Sequence, residues 1–186
     1  MSASLPHASS QSPVPAPDRA AAQVVVRPGT LADLPAVLAI YTHYVLATTV
    51  TFNTAVPNPT LWTERMTQDV FGGKYHFLVA EVDGLVTGYV ETSPLRNKPA
   101  YARSAEVSVY VTPDAAGQGI GGAMYKVLLP AMTEAGFHRA YAIVALPNDH
   151  SVRFHEARGF THCGTLTEVG EKFGEWVDVG YWERAL

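Results

Sequence analysis

The chain reads as an α/β protein built on one mixed sheet with helices on both faces. Three observations predict this. β-rich runs and helix-period segments interleave in the order β-α-α-β-β-β-α-β-α-β-β, which lays helices against both sides of a shared sheet. Asp83-Gly84 joins two β-rich runs with the residue pair that a tight hairpin turn favours. The stretch "GQGIGG", residues 117–122, joins a strand to a helix and gathers four glycines at the junction.

Each element has a local warrant. "QVVVRP" is a short β-branched run, and in the following "TLADLPAVLAIYTHYVLAT" Leu34, Val37, Leu38 and Tyr41 recur at helical intervals. Thr30 or Asp33 can cap that helix, and Pro35 is tolerated because it falls in the first turn. "NPTLWTERMTQDVFGG" predicts a second helix from about Pro59, ended by Gly72 and Gly73. "HFLVAEVDGLVTGYVETSPL" is the hairpin, and "AEVSVYVTP" is an alternating strand stopped by Pro113. The helix in "GGAMYKVLLPAMTEAG" contains Pro130, which is expected to kink or shorten it. "RAYAIVAL" is an almost wholly apolar strand, "DHSVRFHEARG" a short helix closed by Gly159, and "FTHCGTLTEVG" and "EWVDVGYWERAL" two final strands.

Composition narrows the function classes. With 186 residues, 47% hydrophobic and 16% charged, the chain suits one folded domain, expected over 24–186. Residues 1–23, rich in Ser, Pro and Ala, read as a disordered N-terminal tail without an apolar signal core. A net charge of −4 offers no basic footprint for nucleic acid or an anionic membrane. No apolar run approaches the roughly 20 residues needed to span a bilayer. Cys163 is the only cysteine, so no internal disulfide forms, and the seven histidines include no H-E-x-x-H pair. No metal is expected.

The glycine stretch raises the question of a phosphate ligand. Gly117, Gly119 and Gly122 have dinucleotide-fingerprint spacing, yet such glycines should turn directly off a strand and be followed about 20 positions on by an acid. Here "TPDAA" intervenes after Val111, and "HRAYAIVAL" carries no acid. A P-loop is excluded because Ala123, not lysine, follows Gly122. What remains is a run of amides from Gly117 through Gln118, Gly119, Ile120 and Gly121 to Gly122, at the positive end of a helix and suited to a di-anion. An unliganded glycine turn is the alternative.

The strand, "GQGIGG" and its helix, a further strand and "PNDHSVRFHEARGF" together resemble the GNAT N-acetyltransferase superfamily, whose loop motif is R/Q-x-x-G-x-G/A. The similarity is greatest to its phosphinothricin and methionine sulfoximine acetyltransferase branch. It rests on "TTVTF", "VAEVDGLVTGY", "LRNKPAY", "AEVSVYV", "LPNDHSVRFHE" and "GEKFGEWVDVGYW", in that order. The resemblance implies the GNAT fold, acetyl-CoA as cosubstrate, a small-molecule amine as acceptor, a homodimer and a cytoplasmic location. One departure is that the opening R/Q of the motif falls on Ala116.

The same resemblance implies roles. Glu106 stands where the family places the base for the amine, and the alternative is a strand-edge charge. His155, four residues before Gly159, is where the branch carries a histidine in place of the wider family's tyrosine; it can act as acid or base, or simply pack. Val109, Tyr110 and Val111 are expected to offer main-chain amides to the acetyl carbonyl and pantetheine. Asn148 and Ser151 share a helical face with His155 toward the cofactor arm, and asparagine is also an ordinary helix cap. For the acceptor, Arg96, Asn97 and Lys98 offer a fork and charges suited to a carboxylate or phosphinate, with a solvated loop as the alternative. Phe52, Val107 and Ser108, with Glu106, complete the expected acceptor site. Competing readings are a GNAT enzyme for a polyamine, aminoglycoside or peptide N-terminus, a noncatalytic acyl-CoA-binding module, and a dinucleotide oxidoreductase.

Overall fold

The computed structural model describes residues 23–71, 73 and 75–186. All of the expected tail except Gln23 lies outside these residues, as does Gly72. Seven strands form one sheet: β1 (Val24–Pro28), β2 (Phe77–Val82), β3 (Leu85–Pro94), β4 (Ser104–Val111), β5 (Arg139–Leu146), β6 (Thr161–Lys172) and β7 (Glu175–Ala185). Their spatial order is β1-β2-β3-β4-β5-β7-β6, and only the β4–β5 pairing is parallel. The helices are α1 (Leu34–Ala47), α2 (Pro59–Met66), α3 (Ile120–Glu134) and α4 (Asp149–Glu156). This is the element order read from the sequence.

Alternation along the strands divides the core between two faces. In β2, Phe77 and Val79 pack with Val37, Ile40, Trp62 and Met66 of α1 and α2. Their neighbours Leu78 and Ala80 pack instead with Ile120, Met124 and Leu128 of α3. Successive strand side chains point to opposite faces, so a sheet covered on both sides reads as a nearly continuous apolar run.

The predicted turn chemistry is realised. Asp83 and Gly84 turn the β2–β3 hairpin with φ of 53° and 77°, the left-handed pair that a two-residue hairpin needs. At the entry to α1 the Asp33 carboxylate accepts the amide and hydroxyl of Thr30 and is forked by Arg27. Helix α2 is capped by Asn58 and passes into a wider turn at Thr67–Phe71.

Pro130 does not shorten its helix. Helix α3 runs through it to Glu134 because Leu128, Leu129 and Met132 are buried around it. Pro130 itself is exposed, as is Lys126, whose carbonyl would otherwise take the missing N–H, so water can serve there.

Candidate active site

The site begins as an interruption in the sheet. β4 and β5 are paired only from Ser104↔Arg139 to Glu106↔Tyr141, and then diverge. β4 stays paired with β3 through Gly88↔Val111, so the cleft opens on one edge of β4 only. Thr112 donates to the Thr87 carbonyl, and two-residue alternation from that bond turns the main chain of Tyr110, Ser108 and Glu106 toward β3. The main-chain groups of Val109 and Val111 therefore face the cleft, and the Val111 carbonyl accepts the Tyr44 hydroxyl at 2.6 Å. Of the three amides expected to face the cosubstrate, that of Tyr110 belongs to the β3 ladder.

Two cavities meet at this split. The first, about 310 Å³, is an acceptor-sized chamber walled by Tyr41, Phe52, Glu91, Glu106, Ser108 and Tyr110, and it reaches His155 beneath the split. The second, about 380 Å³, is a groove along Val109 and Val111, over Gly117, Gly119, Ile120, Gly121 and Gly122, to Phe154 and Arg158. Val50, Val109, Asn148 and Ser151 line both.

Glu106 is half-buried at the vertex of the split. Burial raises its pKa above the ordinary carboxylate range, and the nearby Glu91 charge raises it further while Arg96 lowers it. Glu91 lies on the same face one strand over, since Glu91↔Ser108 and Ser93↔Glu106 are register partners. The chamber is aromatic as well as acidic. Tyr110 stacks on Tyr89, meets Tyr41 edge to face and Tyr44 at a tilt, while Tyr41 shares its hydroxyl with Thr51 and receives the Asn53 amide.

His155 is 4% exposed. Its Nδ1–H points to the Ser151 carbonyl at 2.8 Å, which leaves Nε2 to accept the Tyr125 hydroxyl at 3.0 Å. Burial lowers its pKa to about 4, an effect the Ser151 carbonyl partly opposes, so the ring is neutral at neutral pH. Tyr125, Phe154 and Phe160 surround it edge to face. Asn148 caps α4 by accepting the Ser151 amide, so this residue both caps the helix and lines the cleft.

The glycine loop is open to a ligand. Gly117 and Gly119 hold φ of 79° and 81°, with free space where a side chain would project. Gly119 starts α3 without a capping side chain, leaving first-turn amides directed at the groove. Gln118 turns away and donates to the Asp114 carbonyl. A pantetheine-sized arm along β4 ending in a di-anion fits this channel of main-chain donors.

Arg96, Asn97 and Lys98 are exposed beyond the end of β3 and line neither cavity; the Arg96 side chain donates to the Leu95 carbonyl. Phe52 does wall the chamber. Its ring occupies the space a side chain at Gly170 would take, while Lys172 anchors the same loop through the Thr51 carbonyl at 2.7 Å. Tyr41, Glu91, Tyr125 and Arg158 were not singled out in the sequence. Tyr41 shows there as one helix-period apolar position among several, and the others have no distinguishing local pattern.

A cleft splayed between parallel strands, with a glycine-started helix at one end and a raised-pKa carboxylate at the other, is the architecture of an acyl-CoA-dependent acyltransferase. Residues 26–180 match the acetyltransferase (GNAT) domain, and the chain belongs to that family. It is 43% identical to phosphinothricin N-acetyltransferase of Streptomyces coelicolor over 89% of this chain and 98% of that one. It is 32% identical to the L-methionine sulfoximine/L-methionine sulfone acetyltransferase of Salmonella typhimurium, over 88% and 95% of the two chains. The fold superposes with a TM-score of 0.84 on a phosphinothricin acetyltransferase from Sinorhizobium meliloti in complex with acetyl-CoA, at 32% identity and covering 88% of each chain.

Proposed function

We propose that this chain transfers the acetyl group of acetyl-CoA to the α-amine of a small amino-acid analogue of the phosphinothricin, methionine sulfoximine or methionine sulfone type. The observation that carries this reading is the continuity of chamber and groove at the β4–β5 split, with Glu106 at the junction. Direct transfer in a ternary complex follows, because both substrates can reach the junction at once and positioning supplies most of the rate.

The chamber recognises an ammonium group through the Glu106 carboxylate and the faces of Tyr41 and Tyr110, with Glu91, paired to Arg65 at 3.3 Å, adding to the field. Glu106, its pKa raised toward that of its task, takes a proton from the ammonium directly or through water. The amine nitrogen then bonds to the thioester carbonyl carbon, and the Val109 N–H donates to the charge developing on the carbonyl oxygen. As the C–S bond breaks, the nitrogen gives up its second proton, through water, to the departing sulfur; CoA leaves as the thiol, the amide is left neutral, and Glu106 returns the first proton to solvent.

His155 serves in this reading as a positioning residue. Held neutral between Ser151 and Tyr125, it locks α4 to α3 and so sets Asn148 and Ser151 along the cosubstrate channel. Arg96, from outside the chamber, attracts the acceptor's carboxylate, supported by its electrostatic reach to Glu106, and its charge disfavours polycationic acceptors.

We assign the catalytic domain to residues 24–186, working in the cytoplasm as a homodimer. The exposed apolar side chains Leu166, Val169, Phe173 and Trp176 of the β6–β7 hairpin support the dimer, and no described helix is long and apolar enough to cross a membrane. Light scattering on the purified protein tests the dimer. The function is tested by CoA release with the three named amines, and silence across them while acetyl-CoA still binds overturns the substrate class.

A further inference from the structure

We infer that Arg158 contacts the pyrophosphate of acetyl-CoA and supplies the cationic side chain that Ala116 leaves out of the glycine motif. The inference rests on the reading that acetyl-CoA lies in the groove over the glycine loop. Ala116 is exposed and has no donor to offer beyond its main chain. Arg158 comes from another element, the turn that follows α4, and converges on the same loop.

Its placement is specific. The guanidinium carbon stands 3.7 Å over the Phe154 ring, and Nη1 donates to the Phe154 carbonyl at 2.6 Å. Phe154 is held in turn by Tyr125 and by contact with Gly121, where an added Cβ would lie 2.9 Å from the ring. Nη2 extends over the first turn of α3, 2.6 Å from where a Cβ on Gly122 would stand. The absence of a side chain at Gly122 is what allows the guanidinium to approach the amides that open this helix.

The electrostatics of this placement call for an anion. Among the described residues no carboxylate forms an ion pair with Arg158. The half-buried cation instead shares the groove with the positive end of a 15-residue helix. Two like-signed groups at close range with no counter-ion are a cost in the free protein, and burial already lowers the pKa of the guanidinium. A di-anion between them turns repulsion into two attractions. The planar fork, with one edge fixed by Phe154, is preorganised to give its remaining donors to phosphoryl oxygens.

The test is calorimetric affinity for CoA, 3′-dephospho-CoA and S-acetylpantetheine, measured with the wild-type protein, Arg158→Leu and Arg158→Gln. Leucine keeps apolar cover over Phe154, and glutamine serves if that variant fails to fold. Both variants are expected to bind CoA and 3′-dephospho-CoA about tenfold more weakly, the loss of one charge-assisted contact, and to bind S-acetylpantetheine as the wild type does. Unchanged affinity for CoA overturns the inference, and so does a loss confined to ligands that carry the 3′-phosphate. If the wild-type protein itself fails to bind CoA, the acetyltransferase reading falls instead.

Discussion

The two halves of the cleft differ in charge and in what they are built from. The acceptor chamber is acidic and built from side chains: Glu91, Glu106, Tyr41 and Tyr110 converge from two strands and a helix. The donor groove is electropositive and built largely from main chain, with glycine amides and one guanidinium at the end of α3. A small amine varies in shape and is read by side chains that can differ between related proteins. A phosphate is always the same group, and unshielded amides fit it without further tailoring. Under the proposed function, substrate choice resides in the chamber, whereas the groove fixes only the class of reaction.

The strongest way to break this division is Glu106→Gln. The variant should lose turnover by about 10²–10⁴-fold, the range of general-base contributions, while calorimetry finds its acetyl-CoA affinity unchanged. A matching fall in cosubstrate affinity would show that the two halves are not separable. In the wild-type protein turnover should rise with pH through the raised Glu106 pKa, above the ordinary carboxylate range, and Glu106→Gln should abolish that limb.

His155 gives the next effect, on stability. Its pKa falls from 6.5 unfolded to about 4 folded, so the folded state binds this proton less readily. The contribution is fully present above about pH 6.5 and is lost as pH falls toward 4. It amounts to about 3 kcal/mol at about 1.4 kcal/mol per pKa unit. Urea melts between pH 7 and 4 should show this slope in the wild-type protein and a flatter one in His155→Asn. Equal slopes would mean that the imidazole is not held neutral.

Gly121→Ala sharpens the groove side. The added Cβ would meet Phe154 at 2.9 Å, so the ring and the guanidinium on it must shift. Overpacking of this kind costs about 1 kcal/mol and should appear as a several-fold weaker Kd for acetyl-CoA with an unchanged KM for the amine. The smallest expected effect is that of Arg96→Ala: an exposed ion pair is worth about 0.2–1 kcal/mol, so the KM for an amino-acid analogue should rise by about fivefold at most. If a decarboxylated analogue suffers the same rise, Arg96 does not read the carboxylate.

These regions also differ in how far the sequence disclosed them. The groove was legible because glycine spacing and the helix that follows are local facts, and Asp83-Gly84 announced its hairpin for the same reason. The chamber was legible only where a residue stood in a recognisable motif, as with Phe52 after "TTVT", Glu106, Val107 and Ser108 in "EVSVYV", and Asn148, Ser151 and His155 in "PNDHSVRFHE". Tyr41 and Glu91 reach the chamber from α1 and β3, Tyr125 meets His155 from α3, and nothing in their neighbourhoods marks them apart from core or strand positions. Pro130 did not end its helix, because the burial of Leu128, Leu129 and Met132, which a propensity argument leaves out, carries the helix on to Glu134. Arg158 was hidden by its distance in sequence from the loop that it reaches.

Because β4 and β5 part company after Glu106, the sheet is cohesive on both sides of a gap that protein alone does not close. A molecule lying there acts as a mortar for the fold as well as a reactant. By mass action, ligand at about 100 times its dissociation constant adds about 2.7 kcal/mol to unfolding. The amide of Val109 should therefore exchange its hydrogen quickly in the bare protein and slowly once acetyl-CoA is present.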